Sequence, residues 1–442
     1  MGVIASRHIR VAAALTAAAV LVLTGCSSPP KSSDHGSDAT GGKLSVWFPG
    51  NNQTEIDLVT RTIVPAFEKE TGATVEVTYV DWGDISTKLN AAFAAGTAPD
   101  VFGHGPAAAA DFVANDRLAP LTKDVATLSK SDRDDMAAAL PGGQVGGVQY
   151  LMPLSNQGNL IMYNADDFAA AGLDPDKPPT TWPALEAAAQ KLTVRDASGA
   201  ITRSGLLLPT QATGRQQSFA ALLGGAGGSA LNKDGTKATW NSAAGKKALG
   251  YFADLYNGPH AVSAALGQDY SNAPTAQQPL VLGTASMTML NSTAMEAIKA
   301  ASPDKDLRVL PPLKFSGHDP AALGGAGPGL MINADSKQQK LAWKFISYFI
   351  DPKVSAQYTQ GIGAVPLRAS AAKTAYVKND PIMQAFLKAA PDYVSNPNVA
   401  GWVQVRDILD KHLEQALHQT TSVKDALDQA ASEADPILTA NG

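Results

Sequence analysis

The chain is 442 residues long and carries one cysteine, so beyond Cys26 disulfide frameworks, cysteine nucleophiles and thiolate metal sites are excluded and stability must come from core burial. One hydrophobic core rarely serves more than about 250–300 residues, so at least two lobes are expected. Lys and Arg number 35 against 40 Asp and Glu, a formal net charge of −5 without clusters, which argues against nucleic acid as a partner.

At the N-terminus, Arg7 and Arg10 precede an apolar run from Val11 to Leu23, and Gly25 and Cys26 follow. That order is the build of a secretory signal, and the run is shorter than the roughly 20 apolar residues a transmembrane helix needs. Leu23-Thr24-Gly25-Cys26 resembles the lipobox of bacterial lipoproteins. The resemblance implies that residues 1–25 are removed and that the Cys26 thiol carries diacylglycerol, a membrane anchor that holds because two acyl chains bind stably where one does not. The expected location is therefore the extracytoplasmic face of the cell membrane, and no other segment reads as membrane-spanning. Residues 27–42 have almost no apolar side chains, so 26–42 reads as the lipidated cysteine and a flexible linker.

Leu44 to Phe48 reads as a strand, residues 54–70 as an amphipathic helix ending at Gly72, and Thr74 to Val80 as an alternating, β-rich strand. Two such strands around a helix predict a βαβ unit with a parallel sheet. A helix from about Ile85 to Ala95 then leads to a short strand at Val101 and Phe102. Ligands in doubly wound sheets bind beyond the carboxyl ends of the strands, which singles out the loops Pro49–Gln53, Asp81–Asp84 and Gly103–Pro106. The middle of the chain alternates alanine-rich helical stretches with Gly- and Pro-rich loops and reads as a second α/β lobe. The runs Gly224–Gly228 and Gly324–Gly329 lack the Walker lysine and the dinucleotide spacing, so no nucleotide cofactor is expected.

The stretch Gly96-Thr97-Ala98-Pro99-Asp100-Val101 resembles an element that family 1 extracellular solute-binding proteins carry before their third strand. Tyr150 to Pro153, Leu160 to Asn164, Ala170 to Asp174 and Pro179 to Trp182 follow in that family's order, as do Asn241-Ser242, Gly283 to Met287, Gly324 to Gly327, Ala342 to Ile346 and Pro366 to Arg368. The resemblance implies a two-lobed periplasmic-binding-protein fold, each lobe a mainly parallel sheet flanked by helices. Residues 43–155 plus 286–330 would form the first lobe and 156–285 plus 331–442 the second, with crossings near 153–158, 283–290 and 325–335. It also implies a monomer that closes on a solute and delivers it to two permease subunits driven by a cytoplasmic ATPase.

A neutral sugar asks for aromatic platforms with carboxylates and amides around them. Asp81 and Trp82 offer both after the second strand, Asn51 and Asn52 follow the first, and His104 follows the third between two glycines. Thr213 and Arg215, and Asn291 and Ser292, occupy later strand-end loops, with solvated loop roles as the alternative. The family pattern adds Asn156, the backbone amides of Gly324 and Gly325, and Trp402 as an aromatic wall, whose alternative is packing at a helix start. Arg215 and Arg368 keep a glycerol 3-phosphate or glycerophosphodiester ligand open, since an anion wants a basic partner. An anchored glycoside-processing enzyme would need a carboxylate pair such as Asp81 and Asp100, but Asp100 fits better as a packing residue at the strand entrance, and no hydrolase or metalloprotease motif is present. No metal or other cofactor is expected.

Overall fold

A computed structural model describes residues 41–271 and 273–440. The expected signal segment, Cys26 and nearly all of the linker lie outside the described residues. Alternation drives the first strands: in β1 (Gly42–Pro49) Leu44, Val46 and Phe48 are buried, and β1 pairs in parallel with β2 (Ala73–Val80) and β3 (Val101–His104). The helical run between β1 and β2 covers 53–71 and contains a π-turn, Val59–Ile63, two residues before Pro65. The proline ring would clash with the carbonyl four residues back, and the wider turn takes up that conflict. This run stops at Gly72 (φ 69°), and α1 (Ile85–Ala95) at Gly96 (φ 67°), a left-handed geometry that costs glycine little. The short helix α2 (Ala109–Ala114) follows β3.

After β4 (Leu151–Pro153) the chain crosses into a second sheet through β5 (Asn156–Asn164). There α3 (Gly214–Gly225), β6 (Met287–Asn291), α4 (Ser292–Ala301) and β7 (Ala322–Ala326) follow before β8 (Gly329–Ile332) returns to the first sheet. Helices α5 (Gln339–Phe349) and α6 (Pro352–Ile362), strand β9 (Tyr393–Val394) and helices α7 (Trp402–Leu417) and α8 (Val423–Ala440) complete the main elements. The first sheet runs β2-β1-β3-β8-β4 and the second β6-β5-β7-β9. The two crossings lie side by side, because Leu154 N–H donates to Pro328 O at 3.0 Å and Gly327 N–H to Ser155 O at 2.9 Å.

Four expectations change. Strand β6, assigned above to the first lobe, pairs antiparallel with β5 in the second sheet, so 283–290 is no crossing. Its Met-Thr-Met-Leu run is buried throughout, and a strand buried on both faces carries no sign of which sheet it joins. Helices α5 and α6, assigned to the second lobe, bury Leu341, Phe345, Phe349 and Tyr358 in the core of the first. The chain instead meets the crossings again at Val365, whose carbonyl accepts from Asn156 N–H at 2.9 Å. The apolar run Leu206–Leu208 makes only an isolated parallel bridge, Leu207 to Thr288 of β6, and the second sheet is less parallel than expected because β5 opposes both its neighbours.

Candidate functional site

The carboxyl ends of β1, β2 and β3 bring three of the expected loops together. Gly50 (φ 111°) follows β1, and a Cβ there would stand 3.2 Å from the Trp82 indole nitrogen, so the close approach requires glycine. Trp82 is 45 % exposed, an unusual state for so large an apolar side chain, and it meets the His104 ring edge-on at 6.1 Å. Asp81 uses its backbone carbonyl to start α1, accepting from Asp84 and Ile85 N–H, while its side chain stays exposed. Asn51 is exposed; Asn52 caps the following helix by accepting from Thr54 N–H at 3.0 Å.

His104 differs from expectation. It is buried, and its Nδ1 accepts from Gly105 N–H at 2.8 Å, so the proton of the neutral ring sits on Nε2 and is donated to Ser86 Oγ at 3.0 Å. Burial, then the positive charge of Arg406, pushes its pKa down to about 4 and keeps the ring neutral. Both nitrogens are thus occupied, and the ring buttresses Trp82.

The second lobe meets this corner through the start of α7. Asp111 of α2 accepts from Gly401 and Val403 N–H, and Asn398 donates to Gln144 O at 2.9 Å and accepts from Ala110 N–H at 3.2 Å. Ala107, three residues past His104, packs on the second-lobe core that contains Trp402. Trp402 itself is 1 % exposed, with an indole N–H that finds no acceptor among the described residues; it is core, because α3, α8 and the helix Ala243–Tyr256 pack against α7.

The two candidate cations are spent. Arg215 is buried and holds Asp410 through two hydrogen bonds, at 3.1 and 2.7 Å, with Glu414 at 3.2 Å. Arg368 is buried in the first lobe against Asp132 (2.8 Å), Asp135 (3.3 Å) and the Ile350 carbonyl (3.0 Å). Thr213 is exposed at the front of α3 with φ 65°, and Gly214 N–H closes onto Ala212 O at 2.8 Å, a strained three-residue turn. Asn291 caps α4 by accepting from Ala294 N–H at 2.8 Å, and Ser292 is buried behind it. Asn156 donates to Pro366 O at 2.7 Å. Gly324 and Gly325 sit in the β7 ladder, where a Cβ would run into the Tyr393 ring and the Ser395 hydroxyl, both at 2.5 Å; their smallness admits β9 and the loop after it.

Sequence reasoning missed five side chains. Ser86 fixes His104. On the second lobe Gln216 donates to Asn396 at 3.1 Å while its buried Oε1 has no partner among the described residues, and Asn159 donates to Gln217 at 2.9 Å. These pairs lie far apart in the chain, and only the Gln216-Gln217 dipeptide hinted at them. Asp100, weighed as a carboxylate of an enzyme pair, accepts from Ser45 N–H (2.9 Å), Ser45 Oγ (2.8 Å) and Ser336 Oγ (2.6 Å) and locks the entrance to β3. Among the described residues no group of His, Cys, Asp and Glu could hold a metal ion, and no helix is long and apolar enough to cross a membrane.

The profile of the family described as "Bacterial extracellular solute-binding protein" matches residues 62–385. A solute-binding protein of an ABC transporter from Thermotoga lettingae, solved with α-D-tagatose, superposes with a TM-score of 0.78 at 25 % identity over 90 % of this chain and 99 % of that one. The cyclic α-maltosyl-1,6-maltose binding protein of Arthrobacter globiformis gives 0.73 at 26 %, covering 90 % and 100 %. The sn-glycerol-3-phosphate-binding periplasmic protein of Rhizobium meliloti is 25 % identical over 327 residues, 69 % of this chain and 73 % of its own.

Proposed function

Because the chain belongs to the bacterial extracellular solute-binding proteins, an extracytoplasmic family of binders rather than enzymes, we propose that it captures a neutral carbohydrate between its lobes and hands it to an ABC permease. The observation that carries the reading is the pairing of an exposed, buttressed Trp82 with the unspent Asp81 carboxylate at the strand ends, while Arg215 and Arg368 are both neutralised. An indole face suits the C–H face of a sugar, and a carboxylate accepts from its hydroxyls. A phosphate ester would ask for one of those arginines; freeing Arg215 leaves the buried Asp410 uncompensated, and freeing Arg368 breaks its ion pairs with Asp132 and Asp135.

The test is a thermal-shift and calorimetric screen of sugars beside glycerol 3-phosphate. A solute at a hundredfold excess over its Kd adds about 2.7 kcal/mol of stability. The expected hit is a sugar; Asp81→Ala should weaken it by about 1.5–3 kcal/mol while the ligand-free melt stays put. A response to glycerol 3-phosphate alone would reverse the reading.

Cys26 is the proposed anchor, with its lobes acting as a tethered monomer. Intact mass of the protein from membranes should equal a chain beginning at Cys26 plus a diacylglyceryl group, and an unmodified cysteine would exclude it.

A further inference from the structure

Where the chain meets the crossings for the third time, a carboxyl group stands against bare backbone. Helix α6, packed in the core of the first lobe, ends at Gly363 (φ 67°), and Val365 joins the crossings two residues later. A Cβ on Gly363 would lie 2.9 Å from Cβ and 3.0 Å from Cγ of Glu296, on α4 of the second lobe. Glycine is thus needed twice, for the left-handed turn and for the close approach. Tyr376, in the second-lobe helix Ala375–Lys378, completes the joint by donating its hydroxyl to Ala364 O at 3.0 Å.

Glu296 Oε1 is buried in this joint and finds no hydrogen-bond partner among the described residues. The charged and titratable groups that face the carboxyl are Asp380, Lys299 and Tyr376. Asp380 caps the helix Pro381–Ala389, accepting from Ile382 N–H at 2.8 Å, and Lys299 lies 3.6 Å from it. The other neighbours of α4, strands β5 and β6 and residues 275–282, carry no carboxylate or cation, and neither does the last turn of α6. A neutral Glu296 suits these surroundings, because burial and the Asp380 charge both oppose a second anion and hold its pKa up to about 7. Once its proton has gone to solvent, the carboxylate needs hydrogen-bond donors that the packed Gly363 turn shuts out. Donors reach it only when that turn lifts, and lifting the turn moves α6, and the first lobe with it, relative to α4.

We infer that Glu296 is a proton-operated catch on the hinge: neutral, it fastens the end of α6 to the second lobe; ionised, it releases that joint and frees the lobes to swing. The lobes already touch through Asp111 and Asn398, so the freed motion is an opening. The catch acts whatever the solute is and stands apart from the carbohydrate reading. The experiment measures small-angle scattering of the ligand-free protein from about pH 5.5 to about 8.5 at fixed ionic strength, for the parent, Glu296→Gln, Asp380→Asn and Glu55→Gln. The expected result is a radius of gyration that rises with a midpoint near pH 7 in the parent and in Glu55→Gln. Glu296→Gln should keep the parent's acid value throughout. Asp380→Asn, which retains a capping side chain and removes the neighbouring charge, should move the midpoint to lower pH. A parent radius that ignores pH, a rise that survives Glu296→Gln or vanishes in Glu55→Gln, or a midpoint unmoved by Asp380→Asn overturns the catch.

Discussion

Glu55 lies in the first turn after β1, where its carboxylate accepts from the Tyr358 hydroxyl at 2.8 Å, and burial raises its pKa from 4.5 to about 7. Burial, and then the neighbouring Asp380, raises Glu296 to about 7 as well. The folded protein therefore holds protons over this range that the unfolded chain releases, a contribution fully present below about pH 4.5 and lost as pH rises through about 7. The melting temperature should fall between pH values of about 5 and 8, and Glu55→Gln should flatten that fall; identical slopes in parent and variant would show that Glu55 titrates normally. Single residues were legible where chain position alone fixed their surroundings. Asp81 and Trp82 end a strand whose direction the sequence declares, and they stand where that direction puts them. The two arginines were not legible, since Asp410 and the Asp132–Asp135 pair that neutralise them sit far away in the chain.

At the level of elements, periodicity and stop signals were enough for the first hundred residues. Strand, helix, strand, helix and strand fall close to the expected limits, because Gly72 and Gly96 end their helices by backbone geometry alone. Pattern reading weakened where both faces of a strand are buried. Strand β6 is buried from Met287 to Leu290 on both faces and so was given to the wrong sheet, while the apolar Leu206–Leu208 bridges β6 without forming a strand. The π-turn before Pro65 had a visible cause in the sequence but no visible form, since a proline inside a helix can equally end or kink it.

For the whole molecule, two packed lobes were foreseeable from length and composition, whereas the order in which the chain visits them was not. What holds the lobes together on the α7 side is Asp111, whose carboxylate accepts from two amides at the head of that helix. Asp111→Ala should loosen this contact, so small-angle scattering of the ligand-free variant should give a larger radius of gyration than the parent, contracting again with a bound sugar. Equal radii would mean that closure is held elsewhere. The crossings carry one more consequence. Strand β8 is wedged between β3 and β4, so the first sheet cannot be completed until residues 329–332 have arrived. The leading lobe therefore waits for a strand supplied late in the chain, and pairings so distant in sequence form slowly.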